Sequence, residues 1–284
     1  MLCGLLVISA VLPLVGCDSI GEPRHRETRS LVVPHVAGSA LEVVNANGSV
    51  EAIARDRADV SIEATLYGND LERLRFANVH AQRQGDSTLR VWVEWPGGKR
   101  RGNEGAAISL NLPDARGVNI RTSNGSITTE RLGGHADLQT SNGRVSVDTH
   151  DGSVHATTSN GRVQAEQISG EIQLFSSNGR ILITDAFGPV RAESSNGNAY
   201  VSTMPGNPGP VRVRTSNGSI TLDLGQGFEG ILKADTSNGR VRVSNLDDAR
   251  LIESSSRSVE LRIGQGSEVS ALRTSNGSVN IQGR

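Results

Sequence analysis

The sequence predicts an all-β chain wound into a single-chain β-solenoid (a β-helix) with two strands per coil, and three observations predict it. The first is a repeat. Ser-Asn-Gly recurs at Asn124, Asn142, Asn160, Asn178, Asn196, Asn217, Asn238 and Asn276, and the first five copies are 18 residues apart. The second is a period of two around each copy. Ile127, Val145, Val163 and Ile181 follow the Asn by three residues, and Thr129, Val147, Ala165 and Ile183 follow it by five. Both columns therefore face one side of a strand. The third is the sharing of columns itself. Asn-Gly turns also favour a meander of hairpins, but a meander gives like residues no reason to recur at one period. Coils stacked about 4.8 Å apart do, because each residue then lies on its counterpart.

Composition limits the rest. The 284 residues carry 29 Lys and Arg against 30 Asp and Glu, a net charge of −1. Bulk electrostatic attraction to nucleic acid needs clustered cations, so no nucleic-acid partner is expected. Two Trp, two Tyr and four Phe leave the core to Val, Ile, Leu and Ala. The 33 glycines imply many tight turns, where they are expected to supply positive φ.

Residues 1–16 read as a lipoprotein signal peptide. Positions 2–16 are uncharged and mostly apolar, and shorter than the roughly 20 residues a membrane-spanning helix needs. Leu14-Val15-Gly16-Cys17 resembles a bacterial lipobox, which implies a diacylglyceryl group on Cys17 and a membrane anchor through it. No Lys or Arg precedes the apolar run, a departure that places the expected start codon upstream. Cys3 would leave with the signal, so thiol catalysis, a Cys-type zinc site and a disulfide framework are not expected. Residues 17–36 form the lipidated N-terminus and a tether that merges into a possible first strand. Its Arg24, His25, Arg26 and Arg29 are either solvated or rest on anionic headgroups. Asp18 beside the Cys resembles an inner-membrane retention signal, and the expected location is the cell envelope, on the periplasmic face of the inner or outer membrane.

Residues 37–120 form an irregular, β-rich N-terminal part with expected strands at 41–45, 49–53, 60–66, 89–95 and 108–112 and a short helix at 69–76. This part would cap one end of the solenoid, protecting it from edge-to-edge association. Residues 121–284 form the regular repeat. In its second half-unit Ala136, Val154, Ile172 and Val190 make one apolar column, and Leu138, Ala156, Leu174 and Ala192 the next. Ser256 holds the place of the Asn in a degenerate copy, giving nine coils and a rod of about 43 Å. The segments 204–210 and 225–228, rich in Gly and Pro, read as protruding loops. The sequence stops half a coil after Asn276, so the last coil is expected to be open and to pair with another subunit.

Three stretches resemble one known family: Leu41-Glu42-Val43-Val44-Asn45-Ala46-Asn47-Gly48-Ser49-Val50, then Ile108-Ser109-Leu110-Asn111-Leu112-Pro113, then the Asn-Gly repeats. Together they resemble the bacterial DUF4097 family, whose members carry an adhesin label. The resemblance implies a β-solenoid exported to the envelope. Its motif is architectural, so it transfers no catalytic residue.

Two outward columns carry candidate chemistry. Glu130, Asp148 and Glu166 would stack about 5 Å apart, near the separation of a retaining glycosidase pair, which makes a polysaccharide-active enzyme the alternative reading. Arg144, Arg162, Arg180 and Arg240 form a stripe suited to phosphates or uronates of envelope polymers. His80, His135, His150 and His155 are scattered, no Gly-x-Ser-x-Gly elbow is present, and neither metal nor cofactor is expected. The reading that emerges is a lipid-anchored, non-catalytic binding or structural module of the envelope. Its expected partners are an envelope polysaccharide or protein, or a second copy through the C-terminal coil.

Overall fold

The computed structural model describes residues 23–85, 87–246 and 248–284. Residues 1–16, read above as a signal peptide and including Cys3, and Cys17 lie outside the described residues. Each coil is named here by its ladder Asn, with one strand leading into that corner and one trailing from it. In the Asn160 coil these are Val154–Thr158 and Val163–Ile168. Trailing strands of the regular coils pair with trailing strands, in parallel and in register, so that Val163 lies between Val145 and Ile181. Leading strands do the same, placing Val154 between Ala136 and Ile172. The chain is thus a β-solenoid. Its two walls close over the apolar columns read from the sequence: Ile127, Val145, Val163 and Ile181 are buried, as are Leu138, Ala156, Leu174 and Ala192. Large and small residues alternate in that second column, as close packing between layers requires.

The corners obey two different rules. Seven residues after the Asn, the chain turns back through Arg131, Thr149, Gln167 and Asp185, whose φ angles of 55°, 52°, 53° and 54° are left-handed. A column of non-glycine residues thus holds the conformation that glycine usually supplies. At the Asn corner the expectation for glycine is corrected. Of the glycines that follow a ladder Asn, only Gly48 has positive φ. The others are required by close approach. A Cβ on Gly161 would overlap the backbone carbonyl oxygen of Gly143 one coil away, and a Cβ on Gly143 that of Gly125.

The order of coils in space differs from their order in sequence at both ends. Ala40–Val44 and Val50–Ala54 flank Asn47, and they pair in parallel with the strands around Asn124. The intervening residues loop out as the N-terminal cap. There Thr88–Glu94 and Gly105–Leu112 add one more parallel layer, and Asn78–Gln84, Asp59–Gly68 and His25–Pro34 finish it with antiparallel pairs. The helix Leu71–Phe76 lies in this cap, with Asp70 capping the Arg73 N–H. Behind it the Glu104 carboxylate receives Arg73 at 2.5 and 3.1 Å and the Arg101 N–H at 2.7 Å. Burial pushes the Glu104 carboxyl up, but those bonds and the charges of Arg73 and Arg101 outweigh it and hold it below the usual range. The strand His25–Pro34 occupies part of the segment read as a tether. Within it Arg29 is tied to the buried Glu27 at 2.8 Å.

The C-terminal coil is not open. Its strands Val269–Asn276 and Val279–Gly283 are inserted between the Asn217 and Asn238 coils, with parallel partners on both sides. The copy at Ser256 does not stack. Its strand Ser258–Ile263 pairs antiparallel with Gly230–Asn238, and Ala249–Ser254 adds a second antiparallel strand outside it. The reason is local. Arg257 stands where every stacked coil has glycine, and its Cβ could not pass the neighbouring carbonyl. The free edges at this end are Val241–Ser244 and Ala249–Ser254. Val243, Leu251 and Ile252 are exposed there, and a bulge between Leu251 and Glu253 interrupts the outer strand, a common protection for an edge.

Candidate functional site: the columns beside the asparagine ladder

Stacking makes the Asn corner a continuous hydrogen-bonded edge. The Asn142 amide donates to the Asn124 side-chain oxygen at 2.7 Å, Asn160 to Asn142 at 2.7 Å, and Asn178 to Asn160 at 2.8 Å. The chain of amides continues through Asn196, Asn217 and Asn276 to Asn238. Asn47 joins by a backbone bridge to Asn124 and turns its amide to the Glu104 carbonyl at 2.9 Å. The hydroxyls beside the ladder do not bond one another. Thr140, Thr158, Ser176 and Ser194 each donate to the glycine carbonyl of the preceding coil at 2.9–3.0 Å. These bonds satisfy carbonyls that the glycine corner leaves facing the interior.

The Arg stripe lies on the trailing side of this edge. Each residue two after the Asn accepts at its carbonyl from the coil before: Ile127 N–H donates to Arg144, Val145 N–H to Arg162 and Val163 N–H to Arg180. Arg144, Arg162 and Arg180 therefore sit in three consecutive coils, exposed, and their guanidinium groups have no partner among the described residues. Arg240 belongs to the same column but stands apart, beyond Asn198, Ser219 and Ser278.

The acidic column is also in register, with Asp148 paired to Glu130 on one side and Glu166 on the other. Its surroundings are those of an outer wall. Glu130 is ion-paired to Arg131, and Asp148 accepts from Thr149 at 2.8 Å. The three carboxylates stand in one row on one face, whereas a glycosidase pair flanks the scissile bond. Among the described residues no cluster of His, Cys, Asp or Glu could hold a metal ion.

The four histidines do not converge. His80 stacks on Trp92 with centroids 4.8 Å apart and meets Glu94 at 2.8 Å. His135 meets Ser153 at 2.9 Å, and His155 lies 5.4 Å from the Phe175 ring. His150 is buried in an inward column between Leu132 and Ile168, and its Nε2–H donates to the Gly134 carbonyl at 3.0 Å. Burial lowers its pKa below the ordinary 6.5. Sequence reasoning missed a further group on the trailing wall, where Tyr200 donates to the buried Asp223 at 2.6 Å. Burial and that bond raise the Tyr200 pKa.

Solved structures similar to the chain come from several bacteria. One from Bacteroides fragilis, described as a candidate adhesin, is 12% identical with a TM-score of 0.49, covering 94% of this chain and 100% of that one. Another candidate adhesin, from Parabacteroides merdae, is 14% identical with a TM-score of 0.38 and covers 90% and 96%. A candidate lipid-binding protein from Parabacteroides distasonis is 14% identical with a TM-score of 0.33 and covers 94% and 99%. No curated protein matches the sequence significantly. The model of the Toastrack family, DUF4097, matches residues 39–282, nearly the whole solenoid with its cap, and the chain belongs to that family.

Proposed function

We propose that the chain is a cell-envelope module, anchored through a lipid on Cys17, that binds a repeating anionic polymer without converting it. The observation that carries this reading is the stripe of Arg144, Arg162 and Arg180, in register, exposed and without partners. Guanidinium groups left unpaired on a rigid edge are preorganised donors for phosphate or carboxylate. Repetition along the shaft lets contacts that are weak singly act together on one polymer.

The test is binding of the full chain to a polyuronate and to polyphosphate across a salt series. Replacing Arg144, Arg162 and Arg180 together by Ser should weaken binding at least about tenfold at low salt and flatten its salt dependence. These side chains have no hydrogen-bond or ion-pair partner among the described residues, so the melting temperature should hold. Polyanion affinity left unchanged by the triple replacement would overturn the reading.

A further inference from the structure

A groove runs along the other side of the Asn ladder. Two clefts, of about 440 and 430 Å³, share Thr157 and Ser159 and so form one trough. It begins at Val44 and Ala46 in the Asn47 coil and ends at Arg214 and Ser216 in the Asn217 coil. Seven coils separated by about 4.8 Å give it a length of roughly 29 Å. One wall is the serine of each Ser-Asn-Gly, including Ser141, Ser159, Ser177 and Ser195. All four are exposed, and their hydroxyls have no partner among the described residues. The opposite wall is an outward column of longer side chains, with the half-buried Phe175 near its middle.

Three features decide what such a trough could hold. Its backbone is used up: Asn142, Asn160, Asn178 and Asn196 N–H groups bond the serine carbonyls of the coil before, at 2.9–3.0 Å. An extended peptide therefore finds no free edge to pair with. Its charge is balanced over most of the length. Arg121 meets Asp137 at 3.2 Å and Glu193 meets Arg191 at 2.7 Å, which leaves Arg214 as a cation without a partner among the described residues at one end. Its polar groups are hydroxyls repeated at the coil spacing, and the Phe175 ring stands among them, flanked by the Arg191 guanidinium 5.7 Å from its centroid and by His155 at 5.4 Å. A ligand that offers hydroxyls at each step and an apolar ring face suits those three features together.

We propose that this groove holds an uncharged linear polysaccharide lying along the solenoid axis, its hydroxyls bonded to the serine wall and one sugar ring resting on Phe175. The inference deepens the reading of the chain as a binding module but uses a surface separate from the Arg stripe. Each sugar meets nearly the same serine environment as the last, so affinity grows with chain length until the trough is filled.

The experiment is calorimetric titration of the full chain with linear β-linked oligomers of glucose and of N-acetylglucosamine, from disaccharide to heptasaccharide. Affinity should rise with length. Phe175→Ala and Ser177→Arg, the second of which fills the trough from an exposed position, should each weaken the longest oligomer about tenfold. The Arg144, Arg162 and Arg180 triple replacement should leave oligosaccharide binding intact, so failure here is distinguishable from failure of the polyanion reading. The proposal is overturned if the unaltered chain binds neither oligomer series, if affinity is independent of length, or if both groove variants bind as the unaltered chain does. Binding of an unstructured peptide in the trough in place of the sugars would also overturn it.

Discussion

Gly161 and its equivalents set the strictest demand that any single residue meets in this chain. The demand is steric, because a methyl group at that point meets the carbonyl oxygen of the coil next to it. Gly161→Ala should therefore destabilise the chain by about 3 kcal/mol or more, as severe overpacking does. Denaturant unfolding checks it, with Ser159→Ala, which loses only an exposed hydroxyl, as the near-neutral control. His150 makes a different demand. Its folded-state pKa is lowered chiefly by burial, so the unfolded chain binds its proton more readily than the folded one. The contribution to stability is complete above the ordinary pKa of 6.5 and is lost as pH falls below it. The melting temperature should fall with acidification in that window. His150→Leu, which continues the apolar column of Leu132 and Ile168, should remove that part of the pH dependence. An unchanged slope in the variant would assign the acid sensitivity elsewhere.

At the scale of elements, the regular coils were legible because their pattern is redundant. A period of two places Val145 and Val147 inward, and the 18-residue repeat places each on its counterpart. The expected N-terminal strands and the short helix also form, within a residue or two for most of them. The first strand was harder to read, because His25–Pro34 opens with charged residues that look like tether, and its buried Glu27 is ion-paired to Arg29 and to the distant Arg75. The Ser256 copy misled for an instructive reason. Val259 and Leu261 keep the apolar columns and are buried, since an antiparallel strand can bury the same face as a parallel one. Only the missing glycine distinguishes the two, and its importance lies in a contact between coils that no single repeat displays. The column of left-handed residues at Arg131, Thr149, Gln167 and Asp185 was unreadable for a similar reason, because its side chains share no chemistry. Of the site, the Arg stripe and acidic row were visible as columns. The groove was not, because its two walls come from residues that only the Asn corner brings face to face.

The whole molecule is a shaft with both ends remade by chain that doubles back. Near its start the chain lays down the Asn47 coil, builds a cap of 61 residues between the strands ending at Ala54 and starting at Arg116, and then stacks the Asn124 coil on the first. Near its end it passes one coil beyond, turns through an antiparallel pair, and slips its last coil into the space left behind. Each end therefore closes through long-range contacts. The proposed polymer-binding surfaces lie in the middle, where the trailing strands of seven coils from Asn47 to Asn217 stack in parallel with one register shift, between Ile183 and Ala186. The stacking order itself is the claim on which the stripe, the groove and the closed ends depend. It can be tested by paired cysteines in a chain whose two native Cys are replaced by Ser. A disulfide needs Cα atoms about 4.4–6.8 Å apart, and adjacent coils lie about 4.8 Å apart. Asn217→Cys with Asn276→Cys should oxidise readily to an intramolecular disulfide, whereas Asn217→Cys with Asn238→Cys, two coils apart, should stay reduced. Ready oxidation of the second pair with the first left free would show that the coils stack in chain order, and would contradict the account.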